Sequence, residues 1–148
     1  PEIEAQAQVR HTSRMFVVAA KLKVPFFAIV LRKGYGLGAQ AMTAGGFDAP
    51  VFNVSWPTGE FGPMGLEGSV RLGFSKELQT QPEGPQRDAL FAELVAERYT
   101  VGKAINMAQT LEIDAVIDPS ETRHWLVRGL DSTTQLQGSK GHGFVDAW

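Results

Sequence analysis

The chain has 148 residues, 43% of them apolar and 20% charged, with 16 acidic residues against 14 Lys and Arg and a formal net charge of −2. That is the composition of one ordinary soluble domain with a real core, and its near-balanced charge gives no general reason to expect nucleic acid or an anionic membrane surface as a partner. The absence of cysteine excludes a disulfide scaffold and any thiolate nucleophile or metal site, and makes the cytoplasm the default compartment.

The opening Pro1-Glu2-Ile3-Glu4 is acidic, so no signal peptide is expected. Because the chain does not start with Met, it is expected to begin inside a longer polypeptide. The longest apolar stretches, residues 15–20 and 24–31, are broken by Lys21 and Lys23 and fall short of a membrane span.

Residues 4–22 place Val9, Phe16, Val17, Ala20 and Leu22 at helical spacing, with Arg10, Arg14 and Lys21 opposite. Val24-Pro25 ends that helix. The run 26–31 predicts a strand buried on both faces, as in a parallel sheet covered by helices. A basic pair, Arg32-Lys33, then leads into a turn with Gly34, Gly36 and Gly38, and a short helix over 39–44 stops at Gly45-Gly46. Bare backbone between a strand and a helix start lets a ligand approach the main chain, and the free N–H groups there suit an anion or oxyanion.

Residues 51–54 predict the next strand, closed by Trp56-Pro57-Thr58-Gly59. Residues 64–74 repeat the pattern of a glycine turn leading into a helix, whereas 75–85, polar and holding two prolines, reads as a loop. The amphipathic spacing of Leu90, Phe91, Leu94 and Val95 predicts a helix over 86–99, continued helically over 101–108, and 113–117 predicts a short strand. Asp118-Pro119-Ser120-Glu121 has the form of a capping box with Pro at the first helical position, opening a helix through Trp125, Leu126 and Leu130. Residues 1–131 form the predicted domain and 132–148 a polar tail. Strands alternating with helices give an α/β fold with mainly parallel pairing.

Gly34, Gly36 and Ala39 satisfy the loose dinucleotide fingerprint, but no acid follows about 20 residues on to hold a ribose, and no Gly-Lys-Ser/Thr makes a P-loop. His11, His124 and His142 form no metal-ligand spacing and read as surface residues, so no metal is expected. Glu60, Asp114 and Asp118 read as caps or salt links, and Trp56 and Tyr35 as core aromatics or pocket walls.

Four motifs occur in order: Arg32-Lys33-Gly34-Tyr35-Gly36 with Gly38, Ala41 and Met42; Trp56-Pro57-Thr58-Gly59-Glu60; Met64-Gly65 with Gly68; and Ile113-Asp114-Ala115-Val116-Ile117-Asp118-Pro119 through Arg123. Together, over residues 2–127, they make the chain resemble the C-terminal part of the second domain of the carboxyltransferase (beta) subunit of biotin-dependent acyl-CoA carboxylases, of the acetyl-CoA and propionyl-CoA carboxylase kind. The resemblance implies a crotonase-like spiral of β-β-α units, here a partial domain. It also implies transfer of a carboxyl group from carboxybiotin, borne by a partner carrier, to the α-carbon of a short acyl-CoA. By the same resemblance, backbone oxyanion holes would take the place of a protein acid–base pair.

By position, Leu37 and Gly38 N–H would form the biotin-side hole, and Gly34, Tyr35, Gly36, Gln40, Met64 and Gly65 would shape the cofactor site. Leu37 stands where the family usually carries glycine, and Gln40 where the family places a residue that influences acyl-chain choice. Implied partners are a biotin carboxylase and biotin carrier subunit, the remaining part of the same carboxyltransferase subunit, and further copies in a dimer or hexamer, without nucleic acid or membrane. This piece alone is expected to be inactive. Two alternatives stand beside this reading: a biotin-dependent acyl-CoA decarboxylase subunit, and a non-catalytic assembly module that keeps the fold.

Overall fold

The computed structural model describes residues 2–22 and 24–133. Two successive β-β-α units dominate it. The first is β1 (Phe27–Val30), β2 (Lys33–Tyr35) and α3 (Gly36–Met42); the second is β3 (Phe52–Ser55), β4 (Glu60–Gly62) and α4 (Leu66–Gly73). Each unit sends its first strand to one sheet and its second to another. β1 pairs in parallel with β3, Phe27 opposite Phe52 and Val30 opposite Ser55, while β2 pairs in parallel with β4, Lys33 opposite Glu60 and Tyr35 opposite Gly62. A short β5 (Ala115–Val116) adds to β3, so the first sheet runs β1-β3-β5.

The central strand β3 is buried along its whole length. Phe52 and Val54 share a core with Ile117, Trp56, Trp125 and Leu126, the last two from α8 (Thr122–Thr133). The ring of Phe52 stacks on Phe27 at 4.9 Å and meets Trp125 edge-on at 5.5 Å. Helix α8 comes this close because Gly129 faces the two phenylalanines: a Cβ there would lie 2.7 Å from each ring. A second core joins the sheets through Phe61 of β4, Val30 of β1 and Val116 of β5, with Ile113 and helix α7 (Ala104–Gln109). A third, of Val70, Leu78 and Leu94, ties α4 to α5 (Ser75–Gln79) and α6 (Pro85–Val101). Burying such side chains contributes roughly 1.5–3 kcal/mol each.

Several expectations are corrected. The first helix is two, α1 (Glu2–Ala5) and α2 (Gln8–Ala19), divided where Ala7 takes φ +58°. Strand β1 is not buried on both faces: it lies at the sheet edge, and of its four residues only Ala28 is buried. Helix α3 begins at Gly36, three residues earlier than the spacing suggests. The polar stretch 75–85 contains α5, held by Leu78 against Val70 and Leu94. Helices α6 and α7 are separate because the chain breaks at Gly102, where any Cβ would strike the Phe61 carbonyl oxygen. The Phe61 N–H in turn donates to the Gly102 carbonyl at 2.8 Å.

The capping box is present: the Asp118 carboxylate accepts from Ser120 N–H at 2.8 Å, and Asp118 N–H donates to Glu121 at 3.1 Å. It opens a 3-10 turn, Pro119–Glu121, that runs into α8. The hydroxyl and N–H of Ser120 hold the Asp118 carboxyl below its ordinary range. The predicted tail overlaps α8 at residues 132 and 133; its remainder, with His142, lies outside the described residues.

Candidate active site

Parallel pairing of β2 with β4 brings two strand-to-helix turns side by side. Tyr35 ends β2 and precedes α3, and its register partner Gly62 ends β4 just before the turn into α4. The turns touch at one point. Gly36 holds φ +55°, and a Cβ on it would lie 2.5 Å from the Pro63 carbonyl oxygen. Only glycine meets both demands, the left-handed backbone and the close approach.

Around that contact the surface is open. Leu37 is 70% exposed and Met64 40% exposed, and a Cβ added to Gly38 or Gly65 would meet no atom within 4 Å. The N–H groups of Leu37 and Gly38 fall in the first turn of α3, where a helix has no carbonyl of its own to receive them. Gln40 is exposed one helical turn beyond Leu37.

The structure therefore gathers Leu37, Gly38, Met64 and Gly65 on adjoining turns and puts the other site candidates in different roles. Gly34 is buried beneath, its Cα hydrogen facing the Phe61 ring, where a Cβ would sit at 3.2 Å. The Tyr35 hydroxyl is engaged, donating to Glu60 Oε2 at 2.7 Å. Trp56 belongs to the core, its indole N–H donating to Thr122 Oγ1 at 3.0 Å. Asp114 clamps β3, its carboxylate accepting the Asn53 N–H at 2.7 Å while its own N–H donates back to the Asn53 carbonyl at 2.8 Å. His11 and His124 are exposed, and among the described residues no three His, Asp or Glu converge on a metal position.

Sequence reasoning missed the polar network on the outer face of β2 and β4. Glu60 takes the Tyr35 hydroxyl and faces Arg32 Nε at 3.7 Å. Nearby, the Tyr99 hydroxyl of α6 donates to Glu67 Oε1 in the first turn of α4 at 3.0 Å. Burial, then the bond to Glu60, raises the Tyr35 phenol above its ordinary range, and the bond to Glu67 raises Tyr99. The Glu67 carboxyl is lowered, first by its own backbone N–H and then by Tyr99. No spacing in the sequence announces these pairs, because the first depends on the β2–β4 register and the second on the packing of α6 against α4.

From Tyr35 and Gly38 a cleft of about 720 Å³ runs along β1 and α3 to Met42 and Phe47.

This chain belongs to the carboxyl transferase domain family, whose pattern it matches over residues 3–140. It is 31% identical over 141 residues to the propionyl-CoA carboxylase carboxyltransferase subunit of Haloferax mediterranei, covering 93% of this chain and 27% of that protein. A single-chain, multi-domain long-chain acyl-CoA carboxylase has a solved structure that matches at 52% identity and a TM-score of 0.75, over 86% of this chain and 12% of the other. The hexameric transcarboxylase 12S subunit, solved with methylmalonyl-CoA and methylmalonic acid bound, matches at 29% identity and a TM-score of 0.79, over 95% and 27%. The fold is crotonase-like, and the chain spans about a quarter or less of these relatives.

Proposed function

We propose that this chain supplies the biotin-side half of a carboxyltransferase active site, in which a carboxyl group passes from carboxybiotin to the α-carbon of an acyl-CoA. The observation that carries this reading is the pair of touching turns, Gly36 against Pro63, with Leu37, Gly38, Met64 and Gly65 open beside them. Carboxybiotin, brought by a carrier protein, supplies the carboxyl group.

The residues fit that guest. Bare main chain at Gly38 and Gly65 leaves room for the planar ureido ring of biotin, and the N–H groups of Leu37 and Gly38 can donate to its carbonyl oxygen as that atom gains negative charge. Donors fixed before the reaction contribute roughly 10²–10³ in rate each. The helix start adds a favourable field of the same sign. Gly34 and Gly36 shape the turn, Tyr35 and Glu60 hold the strand ends in register, and Gln40 lies one turn along the helix from the donors. None of Leu37, Gly38, Met64 and Gly65 titrates, which suits chemistry that needs no protein base.

The remaining part of the subunit, a biotin carboxylase and carrier, and further copies in a dimer or hexamer complete the enzyme in this reading, with the cytoplasm as its setting. Acetyl-CoA or propionyl-CoA is the carboxyl acceptor implied by the resemblance, and the propionyl-CoA carboxylase relative supports it. A longer acyl chain on the same site is a second reading, favoured by the 52% identity to a long-chain enzyme.

Radiolabelled carboxyl transfer from a carboxylated carrier to acyl-CoA tests the proposal, with the 148 residues alone and with the rest of the subunit. Label reaching acyl-CoA only in the combination is the expected result. Transfer by the chain alone contradicts the half-site, and no transfer by the combination overturns the reading. Exchange that runs only as loss of carbon dioxide would assign a decarboxylase.

A further inference from the structure

We propose that an apolar groove between α2 and α3 holds the distal part of a long acyl chain, so that Met15, Val18 and Met42 set acyl-length preference. The inference rests on the acyl-CoA reading above and names the substrate class of that same site.

The groove, about 350 Å³, is lined by Met15, Val18 and Leu22 of α2 and its C-terminal extension, by Phe26 before β1, and by Ala41 and Met42 of α3. Among the described residues that line it, Arg14 alone is charged. Val18, 58% exposed, and Met42, 64% exposed, face this groove beside the candidate site.

Continuity with the site selects the occupant. The groove shares Phe26 and Met42 with the larger cleft, and that cleft reaches Gly38 at the turn. An acyl α-carbon must meet the carboxyl carbon beside that turn. From Gly38 to Met42 is roughly 6 Å along the helix, so a short acyl group ends before the groove, and only a longer tail enters it. Two methionines suit a flexible chain, since the thioether side chain adapts to irregular apolar surfaces.

The test uses the assembled carboxyltransferase, with the methionine methyl groups of these 148 residues labelled with ¹³C and their amides with ¹⁵N, titrated with saturated acyl-CoAs from acetyl to palmitoyl, each below its micelle concentration. The four methionines give internal controls: Met15 and Met42 line the groove, Met64 lies in the second turn, and Met107 packs in the core. The expected result is movement of the Met15 and Met42 signals, with Met107 still, and binding that tightens roughly threefold to fourfold for each methylene entering the groove. Val18→Glu and Met42→Gln, both at exposed positions, should each flatten the length dependence.

Equal affinity for acetyl-CoA and palmitoyl-CoA, no binding at any length, or a length dependence untouched by both substitutions would overturn the proposal. Biotin added to the same sample separates the two readings. Length-dependent acyl binding without movement of the Leu37 and Gly38 amides would keep the groove and reject the biotin half-site.

Discussion

A Cβ on Gly36 would come within 2.5 Å of the Pro63 carbonyl oxygen, so the turn after β2 and the turn after β4 are one structure. Gly36→Ala should therefore strain the backbone at φ +55° and push the turns apart. A loss of about 2 kcal/mol or more is expected, measured by urea unfolding, with carboxyl transfer by the assembled enzyme lost as well.

Gly38 behaves in the opposite way. Its Cβ position is empty space, and it lies inside α3, so Gly38→Ala should raise stability by up to about 0.5–1 kcal/mol. The added methyl group projects where the biotin ring is proposed to approach, and transfer should fall by roughly 10–100-fold. Unfolding and transfer measured on one variant check both signs.

Gly129→Ala tests the packing of α8. The new methyl group would meet the Phe27 and Phe52 rings at 2.7 Å, and overpacking of this kind costs about 1–3 kcal/mol. A fall of that size in unfolding free energy, with the turns unaffected, is the expected outcome.

Both tyrosines of the chain, Tyr35 and Tyr99, are raised above the ordinary phenol value in the folded state. Their contribution to stability is complete below about pH 10, where the unfolded phenols begin to ionise. It is lost as pH climbs toward the folded values, because the unfolded chain then releases protons that the folded chain keeps. Absorbance at the phenolate band should rise at higher pH in the folded chain than in urea, where both tyrosines titrate near the ordinary phenol value. Tyr35→Phe should weaken the alkaline fall in stability.

How far the sequence announces this structure depends on where each signal resides. Helix α6, the buried strand β3 and the Asp118 cap have local causes in spacing, apolar runs and a capping side chain, and each is legible. Strands β2 and β4 are not: three residues each, with Gly34 and Gly62 among them, leave no alternation to read, and they exist because they pair with each other. The break at Gly102 and the short helix α5 answer to tertiary contacts, and the break at Ala7 to a left-handed residue that no spacing announces. At the site, a strand-to-helix glycine turn is visible in residues 26–42. Its contact with Pro63 and the Tyr35–Glu60 bond are not, since both follow from the β2–β4 register.

The most direct measurement is the amide spectrum of Leu37 and Gly38 in the assembled carboxyltransferase, with these 148 residues labelled with ¹⁵N, as biotin is added. A downfield movement of both amide protons that saturates with biotin occupancy, and is lost in Gly38→Ala, is the predicted result. Saturable biotin binding that leaves these two amides unmoved would contradict the account.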